Sequence, residues 1–185
     1  MVLYLDTHLD DIVIILFKDN KIYKKQIISS EKQNSKLIMP SIKKILGNSK
    51  PESIIVCNGP GSFTGVRLGV TISKTLAYTL NIPIRTVSIL ECLAISLEDS
   101  LNKIVAINDK NGYYVGIFND DMSIVGNFEY LSNSEFLEYS KNYKVYTNLD
   151  IDYNKAYEYT MKKSAINPHN VNPIYIKKLD VEKWF

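Results

Sequence analysis

The sequence predicts an α/β protein, a mixed sheet with helices packed on it, and three observations carry that expectation. Three short runs rich in β-branched residues precede the first helical pattern. Strand and helix patterns then alternate, as they do when helices pack on a sheet that contains parallel strands. Finally, a continuous apolar run, Ile54–Cys57, leads through a glycine-rich loop into a long helical stretch. Such an unbroken run suits a strand covered on both faces.

Val2–Leu5 is the first run, ending at Asp6-Thr7, and Ile12–Phe17 is the second. Lys18-Asp19-Asn20-Lys21 is a turn, and Ile22–Ile28 continues as a third strand, so the three read as an antiparallel meander. Ser35 can cap a helix to Leu46, with Leu37, Ile38, Ile42, Ile45 and Leu46 on its apolar side. Pro40 sits within that pattern and either kinks the helix or marks its first turn. After Ile54–Cys57 and its loop, a helix spans Val66 to Leu80 and stops at Asn81-Ile82-Pro83. Ile84–Val87 is a strand, and Ser88 caps a helix through Ser96. Polar Glu98–Asn102 divides the chain into a first lobe, 1–97, and a shorter second lobe, 98–185. In the second lobe Ile104–Ile107, Tyr113–Phe118, Ser123–Glu129 and Lys144–Tyr146 read as strands, with Val171–Lys177 as a last one. Asn133–Tyr139 and Asp152–Tyr159 read as helices. Ten of the 13 tyrosines lie after residue 110. Tyrosine buries its ring while its hydroxyl stays wet, which suits a thin lobe with much surface.

Composition excludes several classes. The 185 residues carry a net charge of +2, too little for a basic nucleic-acid stripe. Twenty of the 22 basic residues are lysines spread along the chain; the two arginines are Arg67 and Arg85. Cys57 and Cys92 form no CxxC pair and suggest no disulfide framework, so a reducing cytoplasmic setting is expected. No apolar run approaches the ~20 residues of a membrane span. The opening Met1–Asp6 reads as a strand rather than a secretion signal.

The most informative stretch is Gly59-Pro60-Gly61-Ser62-Phe63-Thr64-Gly65-Val66-Arg67-Leu68-Gly69. A strand-to-helix loop with this much glycine can aim backbone N–H groups at an anion. It matches neither the Walker A pattern nor the Rossmann GxGxxG pattern, because Thr64 stands where each needs glycine. The plain alternative is a tight turn that needs glycine's conformational freedom. In the helix behind it, Gly65, Gly69, Ser73 and Ala77 recur every four residues, a stripe without bulk along one face. Glycine inside a helix costs up to ~1 kcal/mol relative to alanine, so close packing must offset it. Two readings stand: the stripe packs on the chain's own sheet, or it meets a helix of another subunit.

GPGSFTGVR with its succeeding Gly69 resembles the signature of the TsaB family, also called YeaZ, whose relatives include TsaD. The resemblance extends to Asp6-Thr7, to Ser35–Pro40, to Leu76–Ala94 and, loosely, to Asp109–Tyr114 and Pro173–Lys177. His8 departs from it, standing where the family usually has serine. The resemblance implies an actin-like, Hsp70-like (RNase H-like) two-lobe fold with a shortened second lobe. It implies a non-catalytic scaffold or activator in the complex that forms threonylcarbamoyladenosine beside the anticodon of tRNA. Its partners would be a TsaD-type catalytic subunit and a TsaE-type ATPase, with tRNA met only within the complex and no membrane contact. Docking on TsaD would use the first-lobe helices, here Ser35, Ile38 and Ile42 on one and Gly65, Arg67, Gly69, Ser73 and Ala77 on the other. When that partner is missing, the same surface could pair with itself as a homodimer.

Other chemistries find less support. The only histidines, His8 and His169, make no metal-binding helix pair, and no metal site is expected. A vestigial nucleotide site, with Asp6, Thr7, Gly59, Gly61, Ser62 and Asp109 near the phosphates, is the alternative reading, that of an ATP-binding enzyme of the sugar-kinase class. Without a Gly-Gly dipeptide for the adenosine end, no cofactor of the chain's own is expected, and ATP enters at the level of the complex. A glycoprotease-like peptidase is the third class; Ser62 lacks the GxSxG frame and a histidine partner.

Overall fold

The computed structural model describes residues 1–9, 11–29, 34–98, 103–147 and 149–177. A five-stranded sheet is built from β1 (Val2–Asp6), β2 (Ile12–Lys18), β3 (Lys21–Ile28), β4 (Ser53–Cys57) and β5 (Ile84–Val87), in the order β3-β2-β1-β4-β5. β1, β2 and β3 form the expected antiparallel meander, and β4 and β5 add in parallel. Between them run α1 (Asn34–Leu46) and α2 (Phe63–Leu80), and α3 (Ile89–Ser96) comes after β5. A four-stranded sheet, in the order β8-β7-β6-β9, comprises β6 (Lys103–Asp109), β7 (Gly112–Phe118), β8 (Glu129–Ser132) and β9 (Val145–Tyr146). Two further helices follow in the chain, α4 (Asn133–Asn142) against β7 and β8, and α5 (Tyr153–Met161) against α3, β3 and β5.

The apolar residues sort these elements into layers. Strict alternation sends Leu3, Leu5, Ile12, Ile14, Leu16, Ile54 and Val56 to one face of the first sheet, where α1 and α2 cover them. The other face, with Tyr4, Ile15, Phe17 and Ile55, meets α3, α5 and the inner face of the second sheet. Among the described residues, the outer face of the second sheet carries Ile104, Ala106 and Val115 as its buried apolar residues, under α4. Capping decides where several helices start. Ser62, Ser88, Ser132 and Asp152 accept backbone N–H groups at the starts of α2, α3, α4 and α5. Glu91 closes a capping box on Ser88 and also receives Lys163 Nζ at 2.6 Å and the Tyr159 hydroxyl at 3.0 Å, which ties α3 to the chain around α5.

Four local expectations change. Ser35 lies inside the first turn of α1, which begins at Asn34, and the helix continues through Pro40. α2 starts at Phe63, a turn earlier than Val66, because Ser62 caps it across Gly65. Ser123–Glu129 is not a strand. Met122 and Gly126 adopt positive φ and the Asp121 carboxylate accepts the Ser123 N–H, so the run turns and keeps one bridge, Ile124 to Phe118. Val171–Lys177 is also irregular. Pro173 has no N–H to give a ladder, and the segment is held instead by Ile174 N–H on the Asn58 carbonyl and the Asn58 side-chain amide on the Asn172 carbonyl. Most of the polar boundary at Glu98–Asn102 lies outside the described residues. Among those described, no helix is long and apolar enough to cross a membrane.

Candidate functional site at the cleft between the sheets

β1 and β4 end side by side and in parallel, and the β6–β7 hairpin faces their ends from the second sheet. A cleft of about 660 Å³ opens there, bordered by His8, Asp11, Gly61, Ser62, Asp109 and Tyr114. A second recess of about 400 Å³ also starts at His8 and is apolar, running along Val13, Leu93, Ile107 and Tyr153.

Asp6, Thr7 and His8 are all buried at the cleft floor. Asp6 Oδ1 accepts the His8 backbone N–H at 3.0 Å and faces His8 Nδ1 at 2.6 Å. Burial pushes the Asp6 carboxyl up, but the His8 ring and its two hydrogen bonds outweigh this and hold it below the ordinary carboxylate value. Asp6 Oδ2 is buried without a hydrogen-bond partner of good geometry. Thr7 Oγ1 donates to the Gly65 carbonyl at 2.7 Å, and a Cβ at Gly69 would overlap that hydroxyl. Across the cleft Asp109 receives Lys177 Nζ at 2.9 Å and the Tyr130 hydroxyl at 3.1 Å. Partial burial raises its carboxyl, and Lys177, the Lys110 backbone N–H and Tyr130 more than reverse this.

The glycine loop faces inward. Ser62 N–H donates to the His8 carbonyl at 2.7 Å, Gly65 N–H to Ser62 Oγ at 3.3 Å, and Val66 N–H to the Ser62 carbonyl. A Cβ at Gly61 would strike the His8 backbone, and one at Gly65 the Thr7 carbonyl. The first of these fastens the loop to the chain just after β1 and the other two cap α2 on Ser62, where an anion nest would leave such donors open. The six residues expected near a nucleotide's phosphates are neighbours in space, but only Gly61, Ser62 and Asp109 border the cleft. Asp6 and Thr7 lie beneath it, and Gly59 packs against Val66 and the Ile174 carbonyl. A metal-bound polyphosphate fits this floor poorly, since the Asp6 carboxylate is 1% exposed and turned to His8.

The small-residue stripe faces inward as well. Gly65, Gly69, Ser73 and Ala77 are buried in the chain's own packing, and so are Ile38 and Ile42 under α1. As direct contacts for another subunit these six are corrected, because close helix–sheet approach within the chain accounts for the missing side chains. Arg67 alone of the α2 set is exposed. Its guanidinium lies 3.7 Å from the Phe63 ring centre, and its Nε donates to the Tyr175 hydroxyl at 2.6 Å. Sequence reasoning missed that Cys57 and His8 meet at Asp6; the parallel register that pairs Leu5 with Val56 brings them together, and no local pattern announces it.

This architecture, two sheets with helices on and between them and a cleft at the ends of parallel strands, defines an actin-like, RNase H-like α/β protein. A solved structure of YeaZ from Pseudomonas aeruginosa superposes with a TM-score of 0.73 over 95% of this chain and 99% of that one, at 18% identity. A family model described as TsaD, tRNA N6-adenosine threonylcarbamoyltransferase, matches residues 21–109. The tRNA threonylcarbamoyladenosine biosynthesis protein TsaB of Bacillus subtilis strain 168 is 40% identical over 98 residues, 50% of this chain and 43% of that protein. Its namesake from Buchnera aphidicola subsp. Schizaphis graminum is 32% identical over 120 residues, 60% of this chain and 57% of that protein. The matched stretches thus span about half the length of these relatives. Over these stretches the chain is similar to TsaB and YeaZ proteins.

Proposed function

We propose that this chain takes part in forming threonylcarbamoyladenosine on tRNA, as a non-catalytic scaffold subunit docked on a TsaD-type catalytic partner. One observation carries the reading: the residues of the family signature hold α2 tightly on the ends of β1 and β4, so the loop works as a clasp. A clasp of this kind fixes the position of α2 without doing chemistry, while α1 packs on β2 and β3. The docking surface is then the outer side of these helices. Leu37 and Met39 on α1 are 41% and 45% exposed, and Phe63, Arg67, Tyr78 and Leu80 are exposed along α2. Aromatic and arginine side chains of this kind are the ones that anchor interfaces. In the same proposal a TsaE-type ATPase joins the assembly, tRNA is met only within it, and the chain pairs with itself when the partner is absent. ATP then acts at the level of the complex, in the cytoplasm.

Light scattering of the purified chain mixed with a TsaD-type protein of the same source, with and without ATP, tests this. A defined heterodimer that Leu37→Lys with Met39→Lys abolishes, while the chain stays folded, is the expected result. No complex under either condition would sink the scaffold reading. Saturable ATP binding by the isolated chain, lost in Asp109→Ala, would favour the nucleotide-binding alternative, to which the cleft beside Asp109 lends its volume.

A further inference from the structure

The floor of the cleft brings together three side chains of the types that hold zinc. β1 and β4 pair in parallel with Leu5 opposite Val56, so the next residues, Asp6 and Cys57, stand beside each other. Asp6 ends β1, and the chain bends after it so that both the backbone N–H and the ring of His8 meet Asp6 Oδ1, at 3.0 and 2.6 Å. We propose that Asp6, His8 and Cys57 form a binding site for a soft divalent metal ion, zinc above all.

Five observations support the site. One ligand atom from each residue lies within 4.8 Å of the other two. Tetrahedral zinc with bonds of about 2.0–2.3 Å sets its ligands roughly 3.3–3.8 Å apart, so side-chain rotations close the gap. All three groups are buried, at 1%, 6% and 0% exposure, and polar groups so placed need partners. Asp6 Oδ2 has no N–H or O–H donor and shares the cluster with the Cys57 thiol, a weak donor that a cation would displace. The mixed oxygen, nitrogen and sulfur set excludes magnesium and calcium, which take oxygen, and suits zinc. Access comes through His8, which borders both recesses of the cleft.

The same three residues do not make a cysteine nucleophile. His8 is bonded to Asp6, and Cys57 is fully buried with the Asp6 charge beside it, which keeps its proton on. Reactive thiolates need cationic, partly open surroundings. A metal ion reverses that balance: it takes the thiol as thiolate and the imidazole as a neutral ligand, and the displaced protons leave to solvent.

Cobalt(II) titration of the purified chain tests the site, because tetrahedral cobalt with a thiolate ligand shows intense ligand-field bands and a sulfur-to-cobalt charge-transfer band. Both are expected at one equivalent, and added zinc should bleach them. Cys57→Ala should remove the charge-transfer band and Cys92→Ala, at the other buried cysteine, should keep it, with circular dichroism checking each fold. Asp6→Asn should weaken zinc binding by at least the ~10–100-fold that outer-shell changes cost. A wild-type chain with no charge-transfer band, or a band that survives Cys57→Ala, would overturn the site without touching the docking proposal, which is read by association with the partner.

Discussion

The two sheets are built to different standards. In the first, β1 and β4 are buried along their whole lengths, and both faces carry a deep apolar layer. In the second, the inner face shares the first sheet's core, whereas the outer face rests on three small or β-branched residues rimmed by Tyr113, Phe136 and Tyr139. α4, which covers that face, has no buried residue at all. The first sheet is therefore a self-sufficient frame, and the second is a plate held chiefly by the layer it shares. The difference also explains the position of the site. Side chains at the ends of β1 and β4 stand on strands buried along their whole lengths, and the facing hairpin stands on the sheet with the thinner apolar layer.

The largest loss should come from cutting into the shared layer, where frame and plate meet. Ile55 is fully buried there, so Ile55→Ala should cost about 4 kcal/mol in urea unfolding, within the range for large-to-small core changes. A loss below about 1 kcal/mol would mean that the central strands are not the frame. Next in size is Gly69→Leu. Its side chain must enter the space held by Thr7, between α2 and the end of β1, and overpacking of this sort should cost about 3 kcal/mol. If the variant were as stable as the parent, the stripe would have to face outward, away from the sheet that now buries it. In the second sheet, Phe136 stacks on Tyr113 with ring centres 3.7 Å apart. Phe136→Ala should cost about 2 kcal/mol, less than Ile55→Ala, because the ring is only partly buried. Equal losses at the two positions would erase the distinction between frame and plate.

The same difference decides what can be read from the sequence. Ile84–Val87 and Ile89–Ser96 are legible to the residue, because Pro83 closes off the helix before the strand and Ser88 caps the helix after it. The continuous run Ile54–Cys57 announces a strand buried on both faces, as found. Residues 123–129 and 171–177 mislead because their β-branched and aromatic residues look like strands. A positive φ at Met122 and the missing N–H of Pro173 decide otherwise. Within the site, the glycine loop is plain from composition, but the direction its N–H groups take is not. That direction depends on the His8 carbonyl, which reaches the loop only after β1 and β4 have paired. The inward turn of the Gly65–Ala77 stripe is likewise a tertiary fact, since helical spacing shows that one face is small and not what covers it.

Acid separates the carboxylates on the two sides of the cleft. Asp6, at the end of the fully buried strand β1, is held below its ordinary value by His8 despite its own burial. A depressed carboxyl stabilises the fold above the unfolded-state pKa of about 3.9, and that contribution is lost as pH falls through the lower folded value. Stability of the parent should therefore drop below about pH 4, and Asp6→Asn should flatten this part of the curve in acid titrations followed by circular dichroism. An unchanged acid limb would show that the Asp6–His8 contact does not differ between folded and unfolded chains.

The smallest effect belongs to the facing carboxylate. Asp109 is also depressed, by Lys177, the Lys110 N–H and Tyr130, so its contribution has the same sign and is lost in the same direction of pH. Its side chain is 28% exposed and that of Lys177 40%, so water competes for both ends of the pair. Partly exposed ion pairs contribute about 0–1 kcal/mol, and salt weakens them further. Asp109→Asn should thus cost about 0.5 kcal/mol or less at neutral pH, and raising the salt concentration should shrink even that. A loss of several kcal/mol would mean that residues 174–177 clamp the second sheet to the first through Asp109, and the plate would then owe its position to this strap as much as to the shared core.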